Sequence, residues 1–459
     1  MTEFAWASAS SIATAVARGE ATASQVVEQT LKRIERRNSV LNAFTAVTAD
    51  RARARAAAKP TGPLAGVPFA VKNLIDIAGL PTLAGSKINR EDPPAGADAT
   101  LITRLEAAGA ILVGALNMGE YAYDFTGENV HDGPSRNPHD TTRMTGGSSG
   151  GSGAAVAGGL VPVALGSDTN GSIRVPASLC GLFGLKPTYG RLSRARSFPF
   201  VGSLDHVGPL ARTTRDLALS YDAMQGHDLD DPVCARRPVE PALPALGREI
   251  KRLRIAVAGG YFHRGVLPES RAALERVAQA LGASREIELP EAGRARAAAF
   301  VITTAEGASV HLERLRTRAN DFDPAVRDRL LSGALVPAVL VQRAQKFRRW
   351  YRARVLELFG DVDVILAPAT PGPAPLIGQQ TFVLDGVETP VRANLGIFTQ
   401  PISFIGLPVV AVPMPLDPMP VGVQIIAAPW REDMALAVAH SLEQAGVVRS
   451  PKPRTVNGE

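Results

Sequence analysis

The sequence has little of what marks several large classes of protein. Its 459 residues include two cysteines, Cys180 and Cys234, which cannot build a disulfide framework and show no Cys-x-x-Cys or Cys/His spacing for a metal. Aromatic residues make up only 5% of the chain and do not alternate with basic ones, so a stacking surface for nucleic acid has little support. These absences favour a cytoplasmic protein without a metal or a nucleic-acid partner.

Long uncharged runs are also scarce, and the two that occur are poor membrane spans. Residues 144–167 are crowded with glycine and serine, and residues 393–416 contain four prolines that would break a helix. The N-terminus lacks the basic and strongly apolar regions of a signal peptide. We therefore expect neither membrane insertion nor export.

Hydrophobic periodicity predicts alternating helices and strands. Thr22 and Gln25 have capping-box spacing before apolar residues that share one helix face, and this helix should end near Asn38. Apolar residues 67–71 predict a short strand with Lys72 near its end. Other predicted strands cover residues 111–114, 161–165, 255–258 and 364–367. The alternation favours an α/β fold.

Two further expectations concern helices. Asp98 is predicted to cap a helix that stops at Gly109. Residues from about 268 to 360 are mainly helical in pattern and are interpreted as a cap over a site. No linker sharp enough to divide the chain occurs, so length alone leaves both three domains and one extended sheet open.

The most unusual segment is GGSSGGSG at residues 146–153. A flexible linker would have this composition. Here, however, the glycines lie in a run of alanine, valine and leucine, a setting in which glycine usually permits close backbone approach. No Gly-Lys-Ser/Thr follows, which excludes a P-loop, and we expect no cofactor.

Ser148 and Ser149 each satisfy Gly-x-Ser-x-Gly, the motif of the α/β-hydrolase nucleophile. That fold requires a strand directly before the serine, whereas residues 139–144 are polar and are predicted to form a turn. It would also take a histidine base, and no candidate stands in a distinctive motif among His206, His227, His263, His311 and His440. An α/β-hydrolase remains the alternative interpretation.

A second serine turn, GSDTNGSIRVP at residues 166–176, follows a predicted buried strand. Its Ser172 lies 24 residues after Ser148. A serine hydroxyl is a weak nucleophile until a base removes its proton, and a buried lysine can be neutral near pH 7. Lys72, at the end of an apolar strand, is a candidate for that base.

Three segments together, VKN at 71–73, GGSSGGSG and DTNGSIRVPA, resemble the amidase signature family. The resemblance covers most of the chain. It implies a single α/β domain over residues 1–459, with a core of about 22–440 and a large mixed β-sheet flanked by helices. The helical region of about 268–360 would be its cap.

The resemblance also implies a Ser-cisSer-Lys triad. In it Ser172 is the acylated nucleophile, Ser148 has a cis peptide bond and relays the proton, and Lys72 is the base. Such a triad hydrolyses linear amides through an acyl-enzyme and needs no metal or cofactor.

Further roles follow from the resemblance around the nucleophile. The backbone N–H groups of Thr169, Asn170, Gly171 and Ser172 would form the oxyanion hole. Family members commonly carry glycine where this chain has Asn170, and we expect asparagine to keep the turn because it tolerates positive φ. The residues with supporting roles are Ser149, Asp168 and Arg174. The last two flank the turn and are interpreted as a structural pair.

Within the family, the likeness is greatest to a hydrolase that releases ammonia from a small carboxylated amide. That likeness implies a homodimeric core with a small helical partner subunit, together a heterotetramer. The alternatives are an amidase for another small amide, such as oxamate, and the subunit of the enzyme that amidates tRNA-bound glutamate. Several arginines could bind a substrate carboxylate, and the sequence singles out none of them.

Overall fold

A computed structural model of the protein describes residues 4–454. Within these residues the strands are β1 Phe44–Val47, β2 Pro68–Lys72, β3 Ile111–Leu116, β4 Arg136–Asn137, β5 Asp140–Met144, β6 Val163–Asp168, β7 Phe183–Lys186, β8 His206–Ala211, β9 Ile255–Ala258, β10 Arg285–Ile287, β11 Val364–Pro368, β12 Thr381–Leu384, β13 Val387–Pro390, β14 Val409–Met414 and β15 Val421–Ala427. The α-helices of the same residues are α1 Ala9–Ala17, α2 Ala23–Leu41, α3 Ala49–Ala57, α4 Thr100–Ala107, α5 Gly150–Ala157, α6 Arg174–Cys180, α7 Thr214–Met224, α8 Pro268–Ala280, α9 Ala292–Arg318, α10 Pro324–Ala334, α11 Ala338–Leu358, α12 Val391–Asn394, α13 Gln400–Ser403 and α14 Glu432–Gln444.

In the described part of the chain, eleven strands form one sheet in the order β1-β3-β2-β6-β8-β7-β14-β15-β11-β9-β10. Strand β2 runs parallel to both β3 and β6, whereas β6 runs antiparallel to β8. The hairpins β4–β5 and β12–β13 lie outside this sheet. The sheet is therefore mixed, and the predicted α/β fold with a large mixed sheet flanked by helices is confirmed.

The centre of the sheet is buried on both faces. Every residue of β2, β3 and β6 is buried, which explains why β2, β3 and the first half of β6 are apolar runs that do not alternate with polar residues. Helix α5 is also buried along its whole length and consists of glycine, alanine, serine and one valine. These small side chains let it pack closely against the sheet.

Several predicted elements match the structure closely. Helix α2 begins at the capping box of Thr22 and Gln25. Strand β2 ends at Lys72, as predicted. Helix α4, by contrast, has Ala99 as its N-cap residue and no side-chain cap. The predicted Asp98 cap is wrong because the Asp98 carboxylate pairs with Arg51 and accepts the Ala78 N–H instead.

The stretch before the glycine-rich segment also differs from expectation. Residues Asp140–Met144 form strand β5 and are not turn-like. This strand pairs with the two-residue β4 and forms an isolated bridge from Arg143 to Leu376, both outside the large sheet. The serines that follow it therefore do not stand at the end of a central strand, which an α/β-hydrolase nucleophile requires.

Residues 268–360 contain helices α8 to α11 and one strand, β10, which pairs with β9 at the edge of the large sheet. Helices α10 and α11 both pack on α9. None of the helices between residues 4 and 454 is long and apolar enough to cross a membrane.

Candidate active site

The site lies where the parallel strands β2 and β6 end. We call these carboxyl ends of the central strands the sheet edge. Strands β2 and β6 are neighbours, so their carboxyl ends lie side by side and bring Lys72 next to Ser167. The Lys72 Nζ donates to Ser167 Oγ at 2.8 Å and to Ser148 Oγ at 2.6 Å. The lysine amine is thus fixed between two serine hydroxyls.

Burial controls the charge of this lysine. Lys72 is fully buried, and desolvation lowers its pKa to about 7, although the nearby carboxylates of Asp168, Asp205 and Asp124 act in the opposite direction. A lysine with a pKa of about 7 is substantially neutral at physiological pH. Its amine can therefore accept a proton, as a general base must.

The glycine-rich loop carries Ser148 to the lysine. The peptide bond between Gly147 and Ser148 is cis, as the family resemblance implied. A Cβ added at Gly147 would lie 2.6 Å from Asp124 Oδ2 and 2.7 Å from the Gly127 nitrogen, so only glycine fits there. The Asp124 carboxylate accepts the Gly127 N–H at 2.6 Å. Close backbone packing, inferred from the glycines, therefore holds the serine in place.

Ser149, the neighbouring serine, has a different environment. Its Oγ donates to the Ser167 carbonyl at 3.2 Å and accepts the Ser167 N–H at 3.3 Å. The Ser149 hydroxyl thus donates to and accepts from the main chain of the same residue. This arrangement fits the supporting role expected for Ser149.

The turn between β6 and α6 holds Ser172. Gly171 has φ 144°, and a Cβ there would lie 2.1 Å from Thr399 Oγ1, so this position requires glycine. Asn170 is not among the positive-φ residues of the described chain. The turn therefore does not depend on the tolerance of asparagine for positive φ, because the neighbouring Gly171 takes that conformation.

A buried ion pair holds the base of this turn. The Arg174 guanidinium donates to both carboxylate oxygens of Asp168, at 2.9 and 3.0 Å, and neither side chain is exposed. Burial alone would raise the pKa of Asp168, but Arg174 holds it well below its ordinary value. The Asp168 carboxylate also accepts the Ile173 N–H at 3.2 Å. This geometry agrees with the interpretation of a structural pair.

The N–H groups of the turn are available to a ligand. Among the hydrogen bonds of residues 4–454, none uses the backbone N–H of Asn170, Gly171 or Ser172. Ser172 lines a cavity of about 260 Å³. In the part of the chain that the structure describes, no hydrogen bond joins the hydroxyls of Ser172 and Ser148. Such bonds commonly tighten only when substrate binds.

The cavity wall opposite the sheet comes from the helices. Thr303 of α9 and Arg329 of α10 line it, together with Arg392 of α12. Arg392 donates to the Asp124 carboxylate at 2.6 Å. Among the residues that the structure describes, Arg329 has no carboxylate partner; it donates to the carbonyls of Ala325 and Tyr123, and its guanidinium lies 3.9 Å above the Tyr123 ring.

Sequence reasoning identified the residues at the sheet edge and missed those of the helical wall. Ser167 was overlooked although it stands one residue before Asp168 in the serine turn. Thr303 and Arg329 carry no local signal, since they lie in ordinary amphipathic helices. Within the described residues, no group of histidine, cysteine and acidic side chains is arranged to hold a metal.

Known proteins are similar to this chain over nearly its whole length. The chain matches the Amidase family over residues 25–436. It is 54% identical over 445 residues to AtzE, from the 1-carboxybiuret hydrolase of Pseudomonas sp. (strain ADP), covering 95% of this chain and 97% of that protein. It is 39% identical over 472 residues to one chain of the glutamyl-tRNA(Gln) amidotransferase of Azotobacter vinelandii, covering 95% of this chain and 96% of that protein.

The fold is shared as well. One similar structure is the inhibitor-bound form of what is described as an unexpected vestigial protein complex that reveals the evolutionary origins of an s-triazine catabolic enzyme. It has a TM-score of 0.94 and 53% identity, covering 96% of this chain and 99% of that chain. The substrate complex of 6-aminohexanoate cyclic dimer hydrolase has a TM-score of 0.89 and 30% identity, covering 99% of this chain and 100% of that chain.

Proposed function

The chain belongs to the Amidase family and is an amide hydrolase, and from this premise we propose that it releases ammonia from 1-carboxybiuret and leaves urea-1,3-dicarboxylate. The reaction would be a nitrogen-releasing step of cyanuric acid degradation. The 54% identity to AtzE of a 1-carboxybiuret hydrolase supports this substrate. One observation carries it: Arg329 lines the cavity of Ser172 without a carboxylate partner among the described residues. A substrate carboxylate would supply that partner.

In the first half of the reaction, Ser172 would attack the amide carbonyl while its proton passes to Ser148. The Ser148 proton would pass in turn to neutral Lys72, and the 2.6 Å contact between these two side chains supports that transfer. The proton would then return by the same path to the leaving nitrogen. Ammonia departs, and the acyl group remains as an ester on Ser172.

In the second half, water would replace Ser172 as the nucleophile. Ser148 and Lys72 would take the proton from water and return it to Ser172 Oγ, and the bond between that oxygen and the acyl carbon would break to release the carboxylate product and the free serine. The unused N–H groups of Asn170, Gly171 and Ser172 would stabilise the negative oxygen of both tetrahedral intermediates, with Thr169 as a further donor. Removal of a single such donor typically costs about 10²- to 10³-fold in kcat.

We also infer an assembly of a homodimeric core with a small helical partner subunit, which together form a heterotetramer. The similar structure described as a protein complex supports this inference. Light scattering on the enzyme purified together with its associated subunits would measure the assembly. A lone monomer with full activity would contradict it.

Ammonia release from three amides tests the substrate. We expect 1-carboxybiuret to be hydrolysed at least about 100-fold faster than oxamate or glutamine at equal concentration, because a mismatch at a charged binding group alone costs about 10- to 100-fold. The Ser172→Ala variant should release no ammonia from any of them. Faster release from glutamine would favour a component of an amidotransferase, and faster release from oxamate would favour an oxamate-type amidase.

A further inference from the structure

Two hydrogen-bonding atoms in the wall of the cavity have no partner among the described residues. They are the side-chain carbonyl oxygen of Asn170 and the phenol oxygen of Tyr123. Both atoms are buried. A buried polar atom without a partner costs free energy, so such atoms are rare in native proteins and require an explanation.

The orientation of Asn170 makes its carbonyl the free end of the amide. Its Nδ2 donates to Thr303 Oγ1 at 3.0 Å, and its main-chain carbonyl accepts the hydroxyl of Thr399 at 2.7 Å. The side chain is therefore tethered through Nδ2, and Oδ1 is left without a partner on a residue that lines the cavity. Family members with glycine at this position lack such a group.

Tyr123 has a similar arrangement. One face of its ring lies 3.9 Å from the Arg329 guanidinium, and its ring packs at 4.8 Å against Phe200, which also lines the cavity. The ring is thus held between two neighbours while its hydroxyl has no acceptor in the described chain. A phenol O–H donates to a carbonyl, and an amide carbonyl accepts from an N–H.

We propose that Asn170 and Tyr123 select an acyl group that is a ureide, in which an N–H and then a carbonyl follow the scissile carbonyl. The N–H donates to Asn170 Oδ1, and the carbonyl accepts the Tyr123 hydroxyl. Arg329 binds the carboxylate beyond them. This inference rests on the proposed function, and it names the part of the substrate that distinguishes a ureide from an ordinary short amide.

Asn170 does not bind the leaving nitrogen of the substrate. That nitrogen must face Ser148 and Lys72, which return the proton to it. Neither of those two residues lines the cavity wall that holds Asn170 and Tyr123. The two free atoms therefore face the part of the substrate that stays on the enzyme after ammonia has left.

Three ligands of equal length separate the two contacts. Oxalurate carries the N–H, the second carbonyl and the carboxylate; N-carbamoylglycine lacks the second carbonyl; succinamate lacks the N–H as well. Dissociation constants are measured by calorimetry in the Ser172→Ala variant, which binds without turnover. We expect each loss to weaken binding by about 10-fold, because the analogue leaves a buried partner unsatisfied.

A second substitution in the Ser172→Ala variant assigns each loss of affinity to one residue. Asn170→Ala should abolish the difference between N-carbamoylglycine and succinamate and keep the difference between oxalurate and N-carbamoylglycine. Tyr123→Phe should do the reverse while keeping the ring beneath Arg329. Two matched controls remove buried, unpartnered hydroxyls away from the cavity, Ser270→Ala and Tyr351→Phe, and should keep both differences.

The inference is overturned if both differences survive in Asn170→Ala and Tyr123→Phe, if the three ligands bind equally, or if none binds. These outcomes do not depend on turnover. Failure of the wild-type enzyme to release ammonia from 1-carboxybiuret would instead overturn the proposed substrate. The dissociation constants of the three ligands would still show whether the cavity binds a ureide preferentially.

Discussion

The two sides of the cavity are built on different principles. On the sheet edge, Lys72, Ser148 and Asp168 are buried and held by hydrogen bonds to other protein groups. On the side that faces the acyl part of the substrate, Asn170 Oδ1 and the Tyr123 hydroxyl have no partner, and Arg329 has no counter-ion, among the described residues. The side chains of the first group have their partners without substrate, and those of the second group would gain theirs from it.

This difference separates chemistry from selection. Residues with all their partners in place are preorganised, so they can act on any amide that reaches them. Residues that lack partners gain them from one class of ligand only. Specificity arises because other ligands leave these residues unpaired and bind more weakly. Substitutions on the two sides should therefore change different kinetic constants.

The largest effect is expected for Ser172→Ala. Loss of the nucleophile should lower kcat for 1-carboxybiuret by at least about 10⁴-fold, while the dissociation constant of a ligand without an amide, such as succinate, changes by less than about threefold. Ammonia release and calorimetry measure the two quantities. Retained turnover would remove Ser172 from the mechanism, and a thermal unfolding midpoint equal to that of the wild type would exclude misfolding as the cause.

Lys72→Met should lower kcat by about 10³- to 10⁴-fold. In the wild-type enzyme, kcat/KM should rise as pH increases through about 7 and then level off, because the base must be neutral and burial lowers its pKa to about 7. Below that value the ammonium form dominates and cannot accept a proton. A rate that is constant from pH 6 to pH 9 would contradict Lys72 as the base.

A smaller and more selective effect is expected for Arg329→Met. It should lower kcat/KM for 1-carboxybiuret by about 10- to 100-fold and leave a neutral amide such as propionamide nearly unaffected. Arg327→Met is the matched control, since Arg327 belongs to the same helix, pairs with Asp328 and does not line the cavity. Equal losses for charged and neutral amides would place Arg329 among residues that only support the fold.

The smallest effect is expected for Ser167→Ala. Its Oγ accepts a hydrogen bond from Lys72 at 2.8 Å, and loss of an acceptor disfavours the ammonium form, so the pKa of the lysine should fall further. The rise of kcat/KM should move to lower pH by less than about one pH unit, with a loss of about 2- to 10-fold at the plateau. Movement to higher pH would contradict this role.

The sheet edge was predictable because its residues carry local signals. An apolar strand ending in Lys72 and glycines around two serine turns are visible in short windows of sequence. The prediction of a cap at Asp98 failed because a distant residue competes for its carboxylate. Asp98 has the spacing of a helix cap, but Arg51, brought near it by the fold, takes its carboxylate.

The helical wall was not predictable for a related reason. Thr303 and Arg329 look like any polar residues of amphipathic helices, and only the packing of α9 and α10 over Ser172 gives them a role. More than 130 residues separate Asn170 from Thr303, the side chain that orients it. The amidase signature therefore identifies the acyl-transfer groups and leaves the acyl-side contacts to the tertiary structure.

The contacts that stabilise the serine turn have a consequence for the synthesis of the enzyme. Thr399 bonds the Asn170 carbonyl and, with Ser403 and Gln424, completes the shell around Arg174. A ribosome delivers these groups more than 220 residues after the turn itself. A nascent chain that already contains every signature residue therefore lacks the contacts that shape the turn until Gln424 has been added.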